Sequence, residues 1–303
     1  MNRFPFVRRT FCTLALLSAA LFIGAAPKAV AADGKPIRLL IVGQSPDGHP
    51  PTTHEFMGGA HVMSELLKPY KNVQITLVNA DEPWPDGPKL IDKADALMMW
   101  VTQGAKWMQI DADRYAAIKR LAARGGSITA YHWSVGSTNA DYIKGQMDLL
   151  GGTRGGTQRK YKVLEVDVKR IDPKHPILAG VPDFKTYDEF YYRLDLHPGI
   201  HPLLKANIDD NDETCAWAFE RQDGGRSFGW VCLHFHSNWQ KPEYRRVALQ
   251  GLLWTLKIPI PAEGVNVDID PKALELDGVL PPPASPEAEK AAKKLKKKKT
   301  QEK

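Results

Sequence analysis

The chain carries 41 basic and 35 acidic residues in 303, a formal charge of +6 that at first suggests a nucleic-acid partner. Setting aside the four basic residues of positions 1–31, and the eight lysines and three glutamates of positions 281–303, leaves 29 basic against 32 acidic. The body is therefore mildly acidic, with no basic stripe for nucleic acid, and beyond the N-terminus no segment approaches the roughly 20 apolar residues of a membrane-spanning helix.

The first residues, MNRFPFVRRTFCTLALLSAALFIGAAPKAVAA, have a basic start, an apolar run from Leu14 to Ile23 and an A-x-A site at Ala29-Val30-Ala31. The pattern predicts a signal peptide over 1–31, cleaved after Ala31 or Ala32, and an exported (periplasmic or extracellular) protein. Arg8-Arg9-Thr10-Phe11 resembles a twin-arginine signal, so either export route is open. Residues 33–262 then form a body of one-domain size. Residues 263–303, proline-rich and then lysine-rich, are expected to be a disordered tail whose lysines suit a polyanionic wall or anionic lipid.

IRLLIVG (37–43) reads as a first strand, and the following helix has Phe56, Ala60, Met63 and Leu67 on one stripe. HPPTTHEF (49–56) falls between them. In α/β proteins ligands sit at such turns, beyond the carboxyl ends of parallel strands, and a turn has no need of histidine. VQITLV (73–78) is a second strand, and ALMMWV (96–101) a third, apolar enough to be buried on both faces. Asp111 is placed to cap a helix that buries Tyr115, Ile118 and either Leu121 or Ala122 and stops at Gly125-Gly126. SITAYH (127–132) is the next strand, ending in His132-Trp133, and 138–150 is read as a helix stopped by Gly151-Gly152. The glycine-rich stretch 151–156 follows a helix and lacks Gly-Lys-Ser/Thr, so it is read as a flexible loop and not a phosphate cradle. The alternation of strands and helices argues for βαβ units and a largely parallel sheet.

The second half changes character, with short strands at 162–168 and 187–194 and then a hairpin in TCAWAFERQDGGRSFGWVCLHFH. A two-residue turn at Asp223-Gly224 would set Phe219 opposite Phe228, Trp217 opposite Trp230, Cys215 opposite Cys232 and Glu213 opposite His234. The two cysteines then form either a disulfide or a pair of buried thiols. Lys241-Pro242-Glu243 opens a last helix carrying Val247, Gly251, Leu252 and Trp254 to Lys257.

Among the nine histidines, His175, His197 and His201 each precede a proline and read as extended or turn residues, and His61 lies inside a helix. His49 and His54 follow the first strand, His132 ends a central strand, and His234 and His236 end the last. Two apart on a strand, His234 and His236 would share a face, as two metal ligands or two sugar-contacting donors. No HExxH or Cys-x-x-Cys motif is present, so no cofactor is demanded. A divalent metal on His54, His132 and His234 is one expectation, and histidines bonded to carboxylates are the other. Asp188-Glu189 in TYDEFYYRL reads either as an edge strand ion-paired to Arg193 or Arg226, or, for Glu189 above all, as a general acid or base in an aromatic pocket. Trp84, Trp107, Trp133 and Trp239 lie in or beside loops, where aromatic faces suit sugar rings.

In order and spacing, HPPTTHEF, AYHWSVG, HPILAGVPDFKTYDEFYY and GRSFGWVCLHFHSNWQKPEYRRVALQGLLW resemble the ThuA-like, trehalose-utilisation family over roughly 37–261. The resemblance implies a three-layer α/β fold of the flavodoxin-like, class I glutamine-amidotransferase-like kind, with a C-terminal β-hairpin and helix. Catalytic amidotransferases end the corresponding strand in a Gly-x-Cys-x-Gly elbow. Here Ala130-Tyr131-His132-Trp133-Ser134 has no cysteine, which argues against that chemistry. The resemblance further implies a carbohydrate partner, a disaccharide related to trehalose and processed through 3-keto sugars.

Two functions follow as expectations. One is hydrolysis or isomerisation of a keto-disaccharide or glycoside, with Glu189, His132 and His54 catalytic and Trp133, Tyr191, His234, His236 and Trp239 binding substrate. The other is a non-catalytic sugar-binding or assembly module. His49 is the weaker histidine of its loop and is expected only to shape the Pro50-Pro51 turn. A Rossmann dehydrogenase is excluded, because GQSPDGHPPTTHEF lacks G-x-G-x-x-G.

Overall fold

The computed structural model describes residues 35–276 together with Met1; the expected signal peptide and residues 277–303 of the expected tail lie outside the described residues. In chain order the elements are β1 (Ile37–Gly43), α1 (Phe56–Leu67), β2 (Val73–Asn79), α2 (Gly87–Lys93), β3 (Ala96–Trp100), α3 (Gly104–Ile110), α4 (Ala112–Ala123), β4 (Ser127–Tyr131) and α5 (Ile143–Leu150). They continue with β5 (Gly152–Thr153), β6 (Lys160–Arg170), β7 (Phe184–Tyr192), β8 (Asp195–Leu196), β9 (Ile200–Ile208), β10 (Asn211–Glu220), β11 (Arg226–Trp230) and α6 (Pro242–Thr255).

Nine strands form one sheet in the order β2-β1-β3-β4-β11-β10-β9-β6-β7. Its first five strands are parallel, and from β11 onward every pairing is antiparallel. The change follows the chain. Helices connect the early strands and allow parallel crossovers, whereas β6 to β11 have no long helix between them and must turn back on themselves. Helices α1 and α6 pack together, and α2, α3, α4 and α5 form a second group, so both faces of the parallel half are covered. β3 and β4 are accordingly buried at every residue.

The early elements lie where their patterns predict. Phe56, Ala60, Met63 and Leu67 are all buried on α1, and the Asp111 side chain accepts from Arg114 N at the start of α4. Helices α2 and α3, seven residues each, and strand β9 carry no pattern that singled them out. β9 contains His201 and Pro202, and His201 is extended, one of the two conformations expected of a residue before proline.

The hairpin register is one residue from expectation: Phe219 lies opposite Ser227, Ala218 opposite Phe228 and Trp217 opposite Gly229. Arg221 N donates to Gly225 O, Gly224 N donates to Arg221 O, and Gly224 has φ +81°. The loop is therefore the three residues Gln222, Asp223 and Gly224, with glycine in the left-handed position such loops require. The like pairs do not face each other, and Gly229 leaves room for the Trp217 ring. Glu213 faces Ala206 and pairs with Arg193 at 3.1 Å, not with His234. Cys215 and Cys232 are buried free thiols.

Residues 263–276 also differ from the expected tail. Val265 and Val267 are buried, Arg245 Nε donates to Val267 O, and Val265 N donates to Gln250 Oε1. Two valines and satisfied backbone groups are enough to dock this stretch on α6. No helix among the described residues is long and apolar enough to cross a membrane.

His175 shows how local chemistry contributes to the acid sensitivity of the fold, as His236, lowered to about 4 by burial, also does. Its Nδ1 accepts from Ile177 N at 3.2 Å, which requires a bare nitrogen, and burial lowers its pKa from 6.5 to about 4. Its contribution to stability is complete above pH 6.5 and is lost as pH falls toward 4, because the unfolded chain takes up the proton first. Urea unfolding between pH 7 and 4 should show this loss, and His175→Asn, which keeps an acceptor but does not titrate, should flatten part of the slope.

A histidine and carboxylate centre at the strand ends

Three parallel strands end at one place. After β1 the loop 44–55 carries Asp47, His49 and His54; β4 runs directly into His132; β11 is followed by Val231 to His236. The loops are pinned together by backbone bonds: His54 N donates to His234 O at 3.2 Å and His236 N to Thr52 O at 2.9 Å. The antiparallel half bends round so that β7 brings Asp188, Glu189 and Tyr191 to the same centre, with Asp188 bonded to the backbone after β11. His54 (φ +53°), His132 (φ +47°) and Leu233 (φ +81°) are all left-handed, a conformation L-residues adopt at a cost that surrounding contacts must offset. His132 thus stands on a sharp strand-to-helix elbow. Ser134 Oγ holds that elbow, accepting from Val101 N and donating to Val101 O.

His54 Nε2 lies 3.0 Å from His132 Nε2, which lies 3.1 Å from His234 Nδ1. Glu189 Oε2 is 3.5 Å from both His132 Nε2 and His234 Nδ1, and Tyr191 Oη is 3.2 Å from His132 Nε2. His54, His132, His234 and Glu189 are a group able to hold a metal ion.

Proton accounting says why that matters. His54 Nδ1 faces the Asp47 carboxylate at 2.9 Å, and His132 Nδ1 faces the Val231 carbonyl at 2.8 Å. Both partners only accept, so both Nδ1 atoms carry the hydrogen and both Nε2 atoms are bare in the neutral rings. Two lone pairs then point at each other across 3.0 Å, and no neutral tautomer puts a proton between them. Protonation is opposed: burial, and then the charges of His54 and His234, push His132 well below its ordinary pKa, and burial also lowers His54. A bound cation resolves the conflict. Tetrahedral zinc with bonds of 2.0–2.1 Å separates its ligand atoms by about 3.3 Å, close to the spacings observed. Histidine ligands held by a carboxylate and a carbonyl are the usual outer support of such a site.

The carboxylates differ in role. Asp188 is completely buried and accepts from Leu233 N, His234 N, Phe235 N, Glu189 N and Tyr244 Oη. It fixes the chain that presents His234, and burial nonetheless pushes it up to about 6. Burial and the adjacent Asp188 raise Glu189 to about 7. Asp47 is held well below the usual range: burial opposes this, but bonds from His49, His54 and Thr102 outweigh it. The same bond raises His49, whose ring lies 3.7 Å from that of His54.

Of the residues singled out in the sequence, the structure brings together His54, His132, Glu189, His234 and Tyr191, with Trp133 beside Tyr191 at 5.4 Å. His236 and Trp239 lie elsewhere. The chain after β11 is not a regular strand, so His236 does not share a face with His234; it bonds Leu274 O through Nε2. Trp239 is a core ring packed on Trp100. Trp84 and Trp107 are buried and stacked on each other at 5.6 Å, so they form no rim. Asp47 and Arg154 went unnoticed in the sequence. An Asp seven residues before His54 was the available signal for the first, and the second lay in the glycine-rich stretch read as a loop, which in fact includes β5.

A family model described as trehalose utilisation, ThuA, matches residues 41–255. No curated protein matches. Among solved structures, a putative ThuA-like protein from Bacteroides uniformis is 13% identical, with a TM-score of 0.56 over 76% of this chain and 95% of that one. A cytoplasmic protein from Salmonella typhimurium is 14% identical, with a TM-score of 0.49 over 72% of this chain and 98% of that one. At such identity the first likeness concerns the fold.

Asp188→Ala should strand the three consecutive buried backbone N–H groups of Leu233, His234 and Phe235 and remove the bond from Glu189 N as well. At roughly 1–3 kcal/mol for each unsatisfied group, urea denaturation should show a loss of about 3 kcal/mol or more, with Asp188→Asn milder; a loss below about 1 kcal/mol would contradict the anchoring role.

Proposed function

This chain belongs to the ThuA, trehalose-utilisation family, and from that membership, the signal pattern of residues 1–31 and the histidine centre we propose that it is an exported, metal-dependent protein that hydrolyses or isomerises a keto-disaccharide or glycoside. The observation that supports a metal is the facing pair of bare nitrogens, His54 Nε2 and His132 Nε2, 3.0 Å apart, with His234 as the third ligand and Glu189 left uncoordinated beside them. A divalent ion bound there would polarise a sugar oxygen or acidify a bound water.

The chain's own groups would do the rest. Glu189, which burial and then Asp188 raise to about 7 in the metal-free centre and which a cation there would lower, is placed to act as a general base on a sugar hydroxyl or on the carbon beside a keto group. Tyr191, kept in its phenol form by burial and by Glu189, can donate to a sugar oxygen. Trp133 offers an aromatic face beside it. The elbow that would need a thiol for amidotransferase chemistry carries His132, and both cysteines of the body are buried.

A second reading has its own support. Four protein ligands closing a buried site is the pattern of structural metals, and His132 is 0% exposed. It would make the protein a sugar-binding or assembly module without turnover.

Elemental analysis should find one divalent transition-metal ion per chain, lost in His132→Ala. A screen of glycosides and 3-keto-glycosides should give product that a chelator abolishes, and Glu189→Gln should retain the metal while turnover falls about 10²–10⁴-fold. Metal and bound sugar with no product under any condition would select the module. The export signal is tested separately: N-terminal sequencing of protein from outside the cytoplasm should begin at Ala32 or Asp33.

A further inference from the structure

Arg154 has no place in the chemistry above, yet it is built into the same wall. Its backbone is tied to the elbow turn, with Arg154 N donating to Val135 O at 2.8 Å and Ser137 N donating to Arg154 O at 2.9 Å. The residue is 7% exposed, and its Nε and Nη1 have no hydrogen-bond partner. The guanidinium lies 4.7 Å from the Trp133 ring, 4.8 Å from Tyr191 and 5.5 Å from Tyr161. Aromatic faces attract a cation but do not saturate its N–H groups. Among the described residues no carboxylate forms an ion pair with it; Glu189 acts on it only at longer range, and Arg159 repels it. A buried cation without an anion is a costly arrangement that a purely structural role does not require.

The surroundings add positive charge. An open cavity of about 460 Å³ is lined by Arg154, Thr157, Arg159, Lys160, Tyr161 and Tyr192, three cations and no carboxylate, while the Asp195 carboxylate packs against Gly156 of the same loop. Arg159 is oriented by its bond to Gly156 O, and Tyr161, 62% exposed, stands at the side as an open aromatic face. The glycine-rich stretch is therefore a shaped segment, held by the pairing of β5 with β8, which places Arg154 between the cavity and the His132–Glu189 centre.

We infer that Arg154, with Arg159 and Lys160, is an oxyanion subsite, and that the sugar taken by this protein carries a carboxylate or a phosphate. The inference rests on the carbohydrate reading above and narrows it. A guanidinium supplies the planar donor set that both oxyanions use. The anionic group would occupy the cavity while the ring reaches past Trp133 and Tyr191 to Glu189.

The test is calorimetric titration of the full mature chain with methyl glucoside, methyl glucuronide, glucose 6-phosphate and inorganic phosphate. Native protein should bind at least one of the anionic sugars at least tenfold more tightly than methyl glucoside, and which one identifies the oxyanion. Arg154→Gln should bring that ratio within about threefold. If Arg154→Gln does not fold, the double change at half-buried Arg159 and exposed Lys160, Arg159→Ser with Lys160→Ser, decides, and it should lower the ratio at least threefold. The lysine-rich C-terminus is present throughout and cancels in the comparison. Equal binding of neutral and anionic sugars overturns the subsite and leaves the carbohydrate reading intact. So does an unchanged preference in folded Arg154→Gln. Phosphate bound and lost in the variants, with no sugar bound, supports the oxyanion site and removes the carbohydrate. Binding of no probe overturns the subsite.

Discussion

Two imidazole nitrogens that face each other with no proton to share are the constraint on which the rest of this molecule depends. Left alone, the His54 and His132 Nε2 atoms would repel, and the neighbourhood is dry enough to oppose protonation. A conflict of this kind persists only where the surrounding structure over-determines it. Here the determination is visible at each ring: the Asp47 carboxylate fixes the tautomer of one, the Val231 carbonyl that of the other.

The sheet supplies the rigidity. Strands β1, β4 and β11 lie within a continuous parallel block, so their carboxyl ends deliver His54, His132 and His234 from one edge of a packed core. Loops alone would not hold them, and the structure adds two fasteners. One is the backbone bonding between residues 52–54 and 234–236. The other is Asp188, whose buried carboxylate gathers three consecutive backbone N–H groups. The antiparallel half of the sheet accordingly has a functional role, because its bend sets Glu189 and Tyr191 against a centre built by the parallel half.

Adjacent carboxylates on β7 divide the work by environment. Successive strand residues point to opposite faces, so Asp188 is turned toward the backbone after β11 while Glu189 meets the histidines. Asp188 is saturated with donors, and Glu189, less well supplied and raised by burial and then by its neighbour, is left near neutrality in its proton affinity in the metal-free centre. Arg154 shows the same logic with the opposite sign, as a cation held by rings and backbone but left without its counter-ion.

Sequence by itself determined whatever depends on local period and local stereochemistry. Apolar runs and stripes gave β1 to β4, α1, α4 and α6, and the strand-to-turn junctions marked His54 and His132 as residues at carboxyl ends. The order of motifs carried the family, and the absence of cysteine at 132 followed from reading one position. Only tertiary structure decided the hairpin register, because a three-residue loop and a two-residue loop fit the same Asp-Gly signal and differ by one residue in every pair. It also decided that His234 joins the centre while His236 and Trp239 leave it, since the backbone there departs from the strand geometry that would put both histidines on one face. The fates of Asp47, Asp188 and Arg154 were not legible for the same reason. What each does is set by partners distant in sequence or by burial within the folded wall, and no spacing along the chain encodes that.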